Sequence, residues 1–379
     1  MDYIDLVKAR EEKYLSRRAT KSTESLGRKY DLPPDPNRTE FERDTHRVLH
    51  SLPFRRLRNK AQVFYAPKND HLCTRMEHAL HVASISSTIC NHLRLNVDLA
   101  EAIALAHDLG HPPFGHIGEE ILRGLHKRNH LPLFKHEAQS LRVIDRFRTK
   151  RETLNLTYEV RDGVVCHCGE RFVQTLKRNR QKDMTTVQMD AARRQRPATL
   201  EGCVVRFADV ISYVGRDYED AVQAKIVDKK LPSSITRVLG NTNSQIIGTI
   251  IRDVIQNSRR GDTIKLSSEV YSATDALLQF NIDYIYNNKR IRGQYNRIEQ
   301  MLSDLFYYFL EVTQATERGK RKKGNYRGDT ADVFYEFLED MQYTPEEPDA
   351  RIVSDFIAGM TDTFATRIYQ DLFLVSPPA

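Results

Sequence analysis

The chain of 379 residues has no tryptophan and only five cysteines. It also has no apolar run long enough to cross a bilayer, which excludes a transmembrane helix. Its opening stretch, MDYIDLVKAREEKYLSRRATKSTESLGRKYDLPPDP, is charged throughout. It lacks the apolar segment of a secretion signal, so the expected location is cytoplasmic, with no membrane partner. Five scattered cysteines do not make a disulfide framework, in keeping with a reducing compartment. Cys73, Cys90 and Cys203 read as small buried hydrophobes. Cys166-His167-Cys168 reads as a loop, metal binding being the lesser alternative because no second cysteine pair completes a tetrahedral site.

What is present describes a soluble globular chain of one to two domains: 40% hydrophobic and 29% charged residues, with a mean hydropathy of -0.56. The net charge is +7, and much of the basic excess sits in two places. Residues 171–196 hold eight Lys and Arg against Asp183 and Asp190, and residues 317–327 (ERGKRKKGNYR) hold six against one Glu. Such segments suit a polyanion, whether nucleic acid, nucleotide phosphates or an acidic surface, or else they are solvated loops.

The text is mainly helical, and the expected class is all-α. Thr39 followed by Glu42 is a capping-box signature, so FERDTHRVLHSL reads as a helix stopped by Pro53. Further helices are expected over 75–95, 96–110, 115–128, 136–147 and 199–227, with a short hairpin over 157–165 around Asp162-Gly163. Beyond Leu231-Pro232 come long helical segments without histidine. The expected organisation is an N-terminal arm at 1–38, a domain carrying the chemistry at 39–230, and a helical region at 231–379 packed on it.

Twelve of the thirteen histidines lie between His46 and His136, which points to one site, since imidazole is the usual neutral ligand for a transition metal. In His107-Asp108-Leu109-Gly110-His111-Pro112-Pro113-Phe114-Gly115-His116, a helix ends at Gly110 and leaves His107 and Asp108 free to converge on one ion. At about 100° per residue Arg75 and His78 share a helix face, pairing an anion-gripping guanidinium with a ligand. With Asp209 at zero on the same wheel, Tyr213 falls at about 40° and Asp217 at about 80°, apart from the apolar stripe of Leu200, Val204, Phe207, Ile211, Val214 and Tyr218.

His78, His107-Asp108 and Asp209 resemble the H...HD...D signature of the HD-domain metal phosphohydrolases. RRLRNKAQVF (55–64), TRMEH (74–78), HDLGHPPFGHIGEE (107–120), HEAQS (136–140) and RFADVISY (206–213) further resemble the deoxyguanosinetriphosphate triphosphohydrolase family. Val210 departs from the second Asp of many bacterial members. The resemblance implies an HD-domain helical core at 39–230 that cleaves a dNTP at the α-phosphorus to a deoxynucleoside and inorganic triphosphate. One divalent ion per subunit (Mn, Fe, Zn or Mg) is held by His78, His107, Asp108 and Asp209. His116, oriented by Glu119 at i,i+3, is expected to move a proton or attack phosphorus, with His136 as general acid or phosphate contact. His111 and Arg75 would meet phosphate, and Gln62, Tyr213 and Asp217 the sugar, with Tyr284 and Tyr286 as weaker candidates for base stacking. A homo-oligomer with a regulatory nucleotide is the further expectation. Two alternatives stand beside this reading: an HD phosphohydrolase acting on monophosphates or signalling nucleotides, and a protein binding single-stranded nucleic acid with a subordinate metal site.

Overall fold

Side-chain caps start several of the helices, those that begin at Tyr3, Glu40, Arg75, Val97 and Leu200 among them. A computed structural model describes residues 2–63, 73–147, 153–169, 171–183, 195–315 and 329–374. In chain order its helices are α1 (Tyr3–Tyr14), α2 (Glu40–Leu49), α3 (Leu52–Arg56), α4 (Arg75–Leu93), α5 (Val97–Ala106) and α6 (Gly115–Arg128). Then come α7 (His136–Arg146), α8 (Tyr158–Val165), α9 (Leu200–Val214), α10 (Arg216–Gln223), α11 (Ser233–Leu239) and α12 (Asn243–Asn257). The remainder are α13 (Ser268–Asn281), α14 (Lys289–Arg292), α15 (Tyr295–Ala315), α16 (Asp329–Met341), α17 (Asp349–Ala358) and α18 (Asp362–Phe373). Two short strands, β1 (Thr175–Lys177) and β2 (Thr263–Lys265), pair antiparallel with Leu176 opposite Ile264. The class is all-α, and no helix among the described residues is long and apolar enough to cross a membrane.

Capping boxes start α2 (Thr39, Glu42) and α4 (Thr74, Glu77), and Asn96 caps α5 through Leu99 N. Four expectations need correction. The helix expected over 96–110 ends at Ala106, and residues 107–110 form a turn, so Gly110 does not end the helix. The helix α2 ends at Leu49, and Pro53 opens the short α3 instead of stopping α2. The segment 157–165 is not a hairpin but α8, fully buried from Glu159 to Val165; a Cβ on Gly163 would lie 2.5 Å from Ile103 Cδ1, so this glycine serves close packing on α5 and not a turn. The single helix expected over 199–227 divides at Gly215 into α9 and α10. The run 317–327 and residues 184–194 of the other basic segment lie outside the described residues.

Two apolar cores organise the chain. Helices α4, α5 and α9 pack together around Val82, Ile89, Leu99, Ile103, Val204 and Phe207, and the same core continues to Ile250 and Leu277. The second joins Ile121, Leu122 and Leu125 of α6 to Leu305, Phe309, Phe334, Val353 and Ile357 of the C-terminal helices. The segment His107–Phe114 therefore runs from one core to the other.

That segment is pinned closely. A Cβ on Gly110 would fall 2.1 Å from Ser140 N, so only glycine lets the turn rest on α7. Phe114 (φ 62) and Gly115 (φ 58) both adopt left-handed backbone, a strain of about 1–3 kcal/mol at a non-glycine residue. It is held by burial of the Phe114 ring and by Asp362, whose carboxylate accepts Phe114 N at 2.8 Å and Ala61 N at 2.9 Å. Buried Lys60 donates to His111 O (2.5 Å) and Ala358 O (2.8 Å), tying the turn to the end of α17.

Candidate active site

The first turn of α4 supplies Arg75 and His78, the C-terminal end of α5 supplies His107 and Asp108, and α9 supplies Asp209. Packing of these three helices brings the four expected ligands together. His78 Nε2 lies 3.3 Å from His107 Nε2, 3.1 Å from Asp209 Oδ1 and 3.9 Å from Asp108 Oδ2; His107 Nε2 lies 3.6 Å from Asp108 Oδ2. The opposite ring nitrogens are engaged: His107 Nδ1 with Ala104 O at 2.6 Å and His78 Nδ1 with Ser212 Oγ at 3.0 Å. A ligating histidine ordinarily uses its second nitrogen in this way, which leaves the Nε2 lone pair facing the site. Two nitrogens each about 2.0–2.1 Å from one tetrahedral ion stand about 3.3 Å apart, so the His78–His107 spacing and the mixed N/O donors fit a divalent cation. Burial lowers His107, so its imidazole is neutral. Burial alone would raise Asp209, but its contact with His78 outweighs burial and takes it to about 2.

The sequence puts His167 and Cys168 in a loop, with metal binding the lesser alternative, and does not connect them to the His78 group. His167 is the thirteenth histidine, outside the dense cluster, and becomes a neighbour only through α8. Its Nδ1 meets Val164 O at 2.6 Å, repeating the His107–Ala104 arrangement at another helix end, and the His107 and His167 rings lie 4.9 Å apart. The signal available in the sequence was the apolar helical run just before each histidine, IALA before His107 and GVVC before His167.

A cavity of about 370 Å³ opens beside these groups, lined by Gln62, Arg75, His111, His116, His136, Tyr213, Asp217 and Tyr286 together with His78, Asp108, Cys168 and Asp209. Gln62 Oε1, Arg75 Nε and His111 Nε2 are buried without a hydrogen-bond partner, an arrangement that a polar ligand would satisfy. The Arg75 guanidinium pairs with Asp108 and reaches Gln62 O at 3.3 Å. Tyr286, in the π turn Ile282–Tyr286 that follows α13, donates to Asp217 Oδ2 at 2.5 Å, and burial pushes Asp217 up to about 7. Tyr284 is partly exposed beneath Lys229 and does not line this cavity.

Glu119 bonds to a different partner from the one expected. Its Oε2 accepts from His136 Nδ1 at 3.0 Å, while its carboxylate lies within 4.8 Å of ring nitrogens of His111 and His116. The i,i+3 spacing on α6 does bring His116 and Glu119 close, but the N-terminus of α7 lays His136 across the carboxylate. His116 is the exposed member of the trio with His111 and Glu119; desolvation on its cavity side, followed by the Arg75 charge, lowers it from the ordinary imidazole value, so this ring is a free base at neutral pH.

Comparison with known proteins matches the HD domain over residues 75–214, from the first residue of α4 to the last of α9, and a phosphohydrolase-associated domain over 264–371. The chain is 36% identical over 378 residues to a deoxyguanosinetriphosphate triphosphohydrolase-like protein of Caldanaerobacter subterraneus, covering 100% of this chain and 97% of that one. It is 37% identical to the protein of the same description from Desulfatibacillum aliphaticivorans, with 97% of both covered, and 35% identical to that of Clostridium perfringens, with 95% and 94% covered.

Proposed function

Because the chain belongs to the deoxyguanosinetriphosphate triphosphohydrolase-like family of HD-domain phosphohydrolases, we propose that it is a metal-dependent dNTP triphosphohydrolase, cleaving at the α-phosphorus to release a deoxynucleoside and inorganic triphosphate. The observation that supports this reading is the meeting of the His78, His107, Asp108 and Asp209 donors beside a cavity that holds three unpartnered polar atoms. Bound by those four donors, a divalent ion such as Mn, Fe, Zn or Mg supplies Lewis-acid polarisation of a phosphoryl oxygen.

The chain's own groups do the rest. Arg75 offers the α-phosphate a permanently charged, planar donor, and its Nε is the hydrogen-bonding atom left over after the contact with Asp108. His111 turns an uncommitted Nε2 to the same end of the cavity. His116, neutral at physiological pH and near the Glu119 carboxylate, takes the proton or attacks phosphorus. His136 is held by Glu119 through Nδ1, and its Nε2, 3.2 Å from Cys168 Sγ, is the atom that acts as general acid or phosphate contact. Gln62, Tyr213 and Asp217, which line the same cavity, meet the sugar, with Asp217 fixed by Tyr286. The two basic segments, at 171–196 and 317–327, supply phosphate contacts for a regulatory nucleotide, or for single-stranded nucleic acid, in a cytoplasmic homo-oligomer.

The deciding experiment is incubation of metal-loaded protein with each dNTP and chromatography of the products. Deoxynucleoside with intact triphosphate is expected. Release of pyrophosphate or orthophosphate from every dNTP, with no triphosphate, would overturn the assignment to cleavage between the α-phosphorus and the nucleoside oxygen.

A further inference from the structure

The catalytic cavity shares a wall, formed by Cys168, Asp209 and Tyr213, with a second cavity of about 660 Å³. The two differ in charge. The first holds the groups assigned to the sugar, Gln62, Asp217 and Tyr286, and the second holds two guanidinium groups, those of Arg206 and the exposed Arg171. Among the described residues lining the second cavity, the carboxylates are the metal-site Asp209 and the exposed Asp275.

Arg206 is the one cation of α9 and stands a turn before Asp209, which puts their Cβ atoms about 5–6 Å apart. It is half-buried, and among the described residues it has no carboxylate partner; its contacts are two distant backbone carbonyls, Gln195 O at 3.4 Å and Cys166 O at 3.5 Å, both from Nη1. Its Nη2 rests against Gly169, where a Cβ would fall 1.6 Å away, so glycine is what leaves the guanidinium its room. Other arginines withdrawn from water in this fold are paired: Arg28 with Asp44, Arg142 with Asp355 and Arg161 with Asp145. A cation kept out of solvent without a counter-ion is costly, and an anion entering the cavity removes that cost.

Asp217 and Tyr286 line the first cavity and not the second. With the sugar at that pair and the α-phosphate at Arg75 and the His78 group, the outer phosphates are the part of the substrate left to enter the volume across Asp209. We propose that Arg206 binds the β- and γ-phosphates of the substrate, and then the inorganic triphosphate product, so that it selects triphosphates over shorter nucleotides. This inference rests on the dNTP reading of the same site. A planar guanidinium suits the task because it donates two parallel hydrogen bonds to phosphate oxygens. Val210, the apolar neighbour of Asp209 on the same wall, supplies no charge there, which leaves that part to Arg206.

Calorimetric titration of inorganic tripolyphosphate into the manganese-loaded protein, with manganese at equal concentration in cell and syringe, tests this. The parent is expected to bind it, Arg206→Gln to bind it about tenfold or more weakly, as a lost charged hydrogen bond requires, and Arg206→Lys to lie between. Gly169→Ala, which displaces the guanidinium without deleting it, should weaken binding as Arg206→Gln does. Bound manganese should equal the parent's in every variant, which separates a lost phosphate contact from a damaged site. No binding by the parent, equal affinity in the parent and Arg206→Gln, or manganese lost in step with tripolyphosphate would each overturn the proposal. Tripolyphosphate held through Arg206 by a chain that releases no triphosphate from any dNTP would keep the polyphosphate subsite and refute the dNTP reaction instead.

Discussion

Asp362 accepts the backbone amide of Phe114 at 2.8 Å, across 248 positions of sequence. The other oxygen of the same carboxylate takes Ala61 N, so the first turn of the last helix sets both the left-handed entry to α6 and the segment that carries Gln62. Asp362→Ala leaves two amides unpaired in a buried place, at about 1–3 kcal/mol each. The expected result is a lowered denaturation midpoint together with a lower kcat, since His111 and His116 flank the released residue. An unchanged midpoint would mean that burial of the Phe114 ring alone holds the turn.

His107→Ala, Asp108→Ala and Asp209→Ala each delete a donor from the four-residue group and should abolish turnover while lowering bound metal. Metal analysis after gel filtration checks this. Parent-level metal in all three variants would refute the ligand assignment.

His116→Ala should behave differently. Its proposed part is in the chemical step, so metal content and nucleotide binding are expected to persist while kcat falls by about 10² or more. Loss of metal in step with activity would make His116 a ligand.

Asp217 gives a pH signature. Burial, opposed by the hydrogen bond from Tyr286, raises its carboxyl to about 7. Between an unfolded value of about 3.9 and that figure the folded chain keeps a proton that the unfolded chain has released. The stabilising contribution is therefore complete below about pH 4 and is lost as the pH rises through about 7. Asp217→Asn is never charged, so in the metal-free protein it should melt above the parent at pH 8 and near it at pH 4. Equal melting curves at both pH values would show that Asp217 is solvated. The same variant should raise KM for dNTPs through the lost sugar contact.

Reversing the charge of Arg321, Lys322 and Lys323 together should weaken activation of one dNTP's turnover by another while leaving metal in place. A coupling of about 1–3 kcal/mol, roughly 5- to 150-fold, is the ordinary range for such an effect. Sedimentation as a monomer with hyperbolic kinetics for every dNTP, or a triple variant identical to the parent, would return the run to a solvated loop.

The amino-acid sequence by itself determines what is local. The Thr39–Glu42 box, the Asn96 cap and the i,i+3 closeness of His116 and Glu119 depend on residues a few positions apart, and all are present in the fold. The family motifs, HDLGHPPFGHIGEE above all, were legible because they too are contiguous stretches of sequence. What only the tertiary structure decided lies between elements. Asp162-Gly163 has the composition of a turn, yet burial against Ile103 makes it helix, because packing on α5 outweighs a weak local preference. Glu119 bonds to His136, Tyr286 bonds to Asp217, and His167 with Cys168 reaches His136, since only the stacking of α5, α7, α8 and α9 brings those side chains within reach. Spacing along one helix fixes a side chain's direction, but which groups face one another across a site depends on how separate helices fill two shared cores.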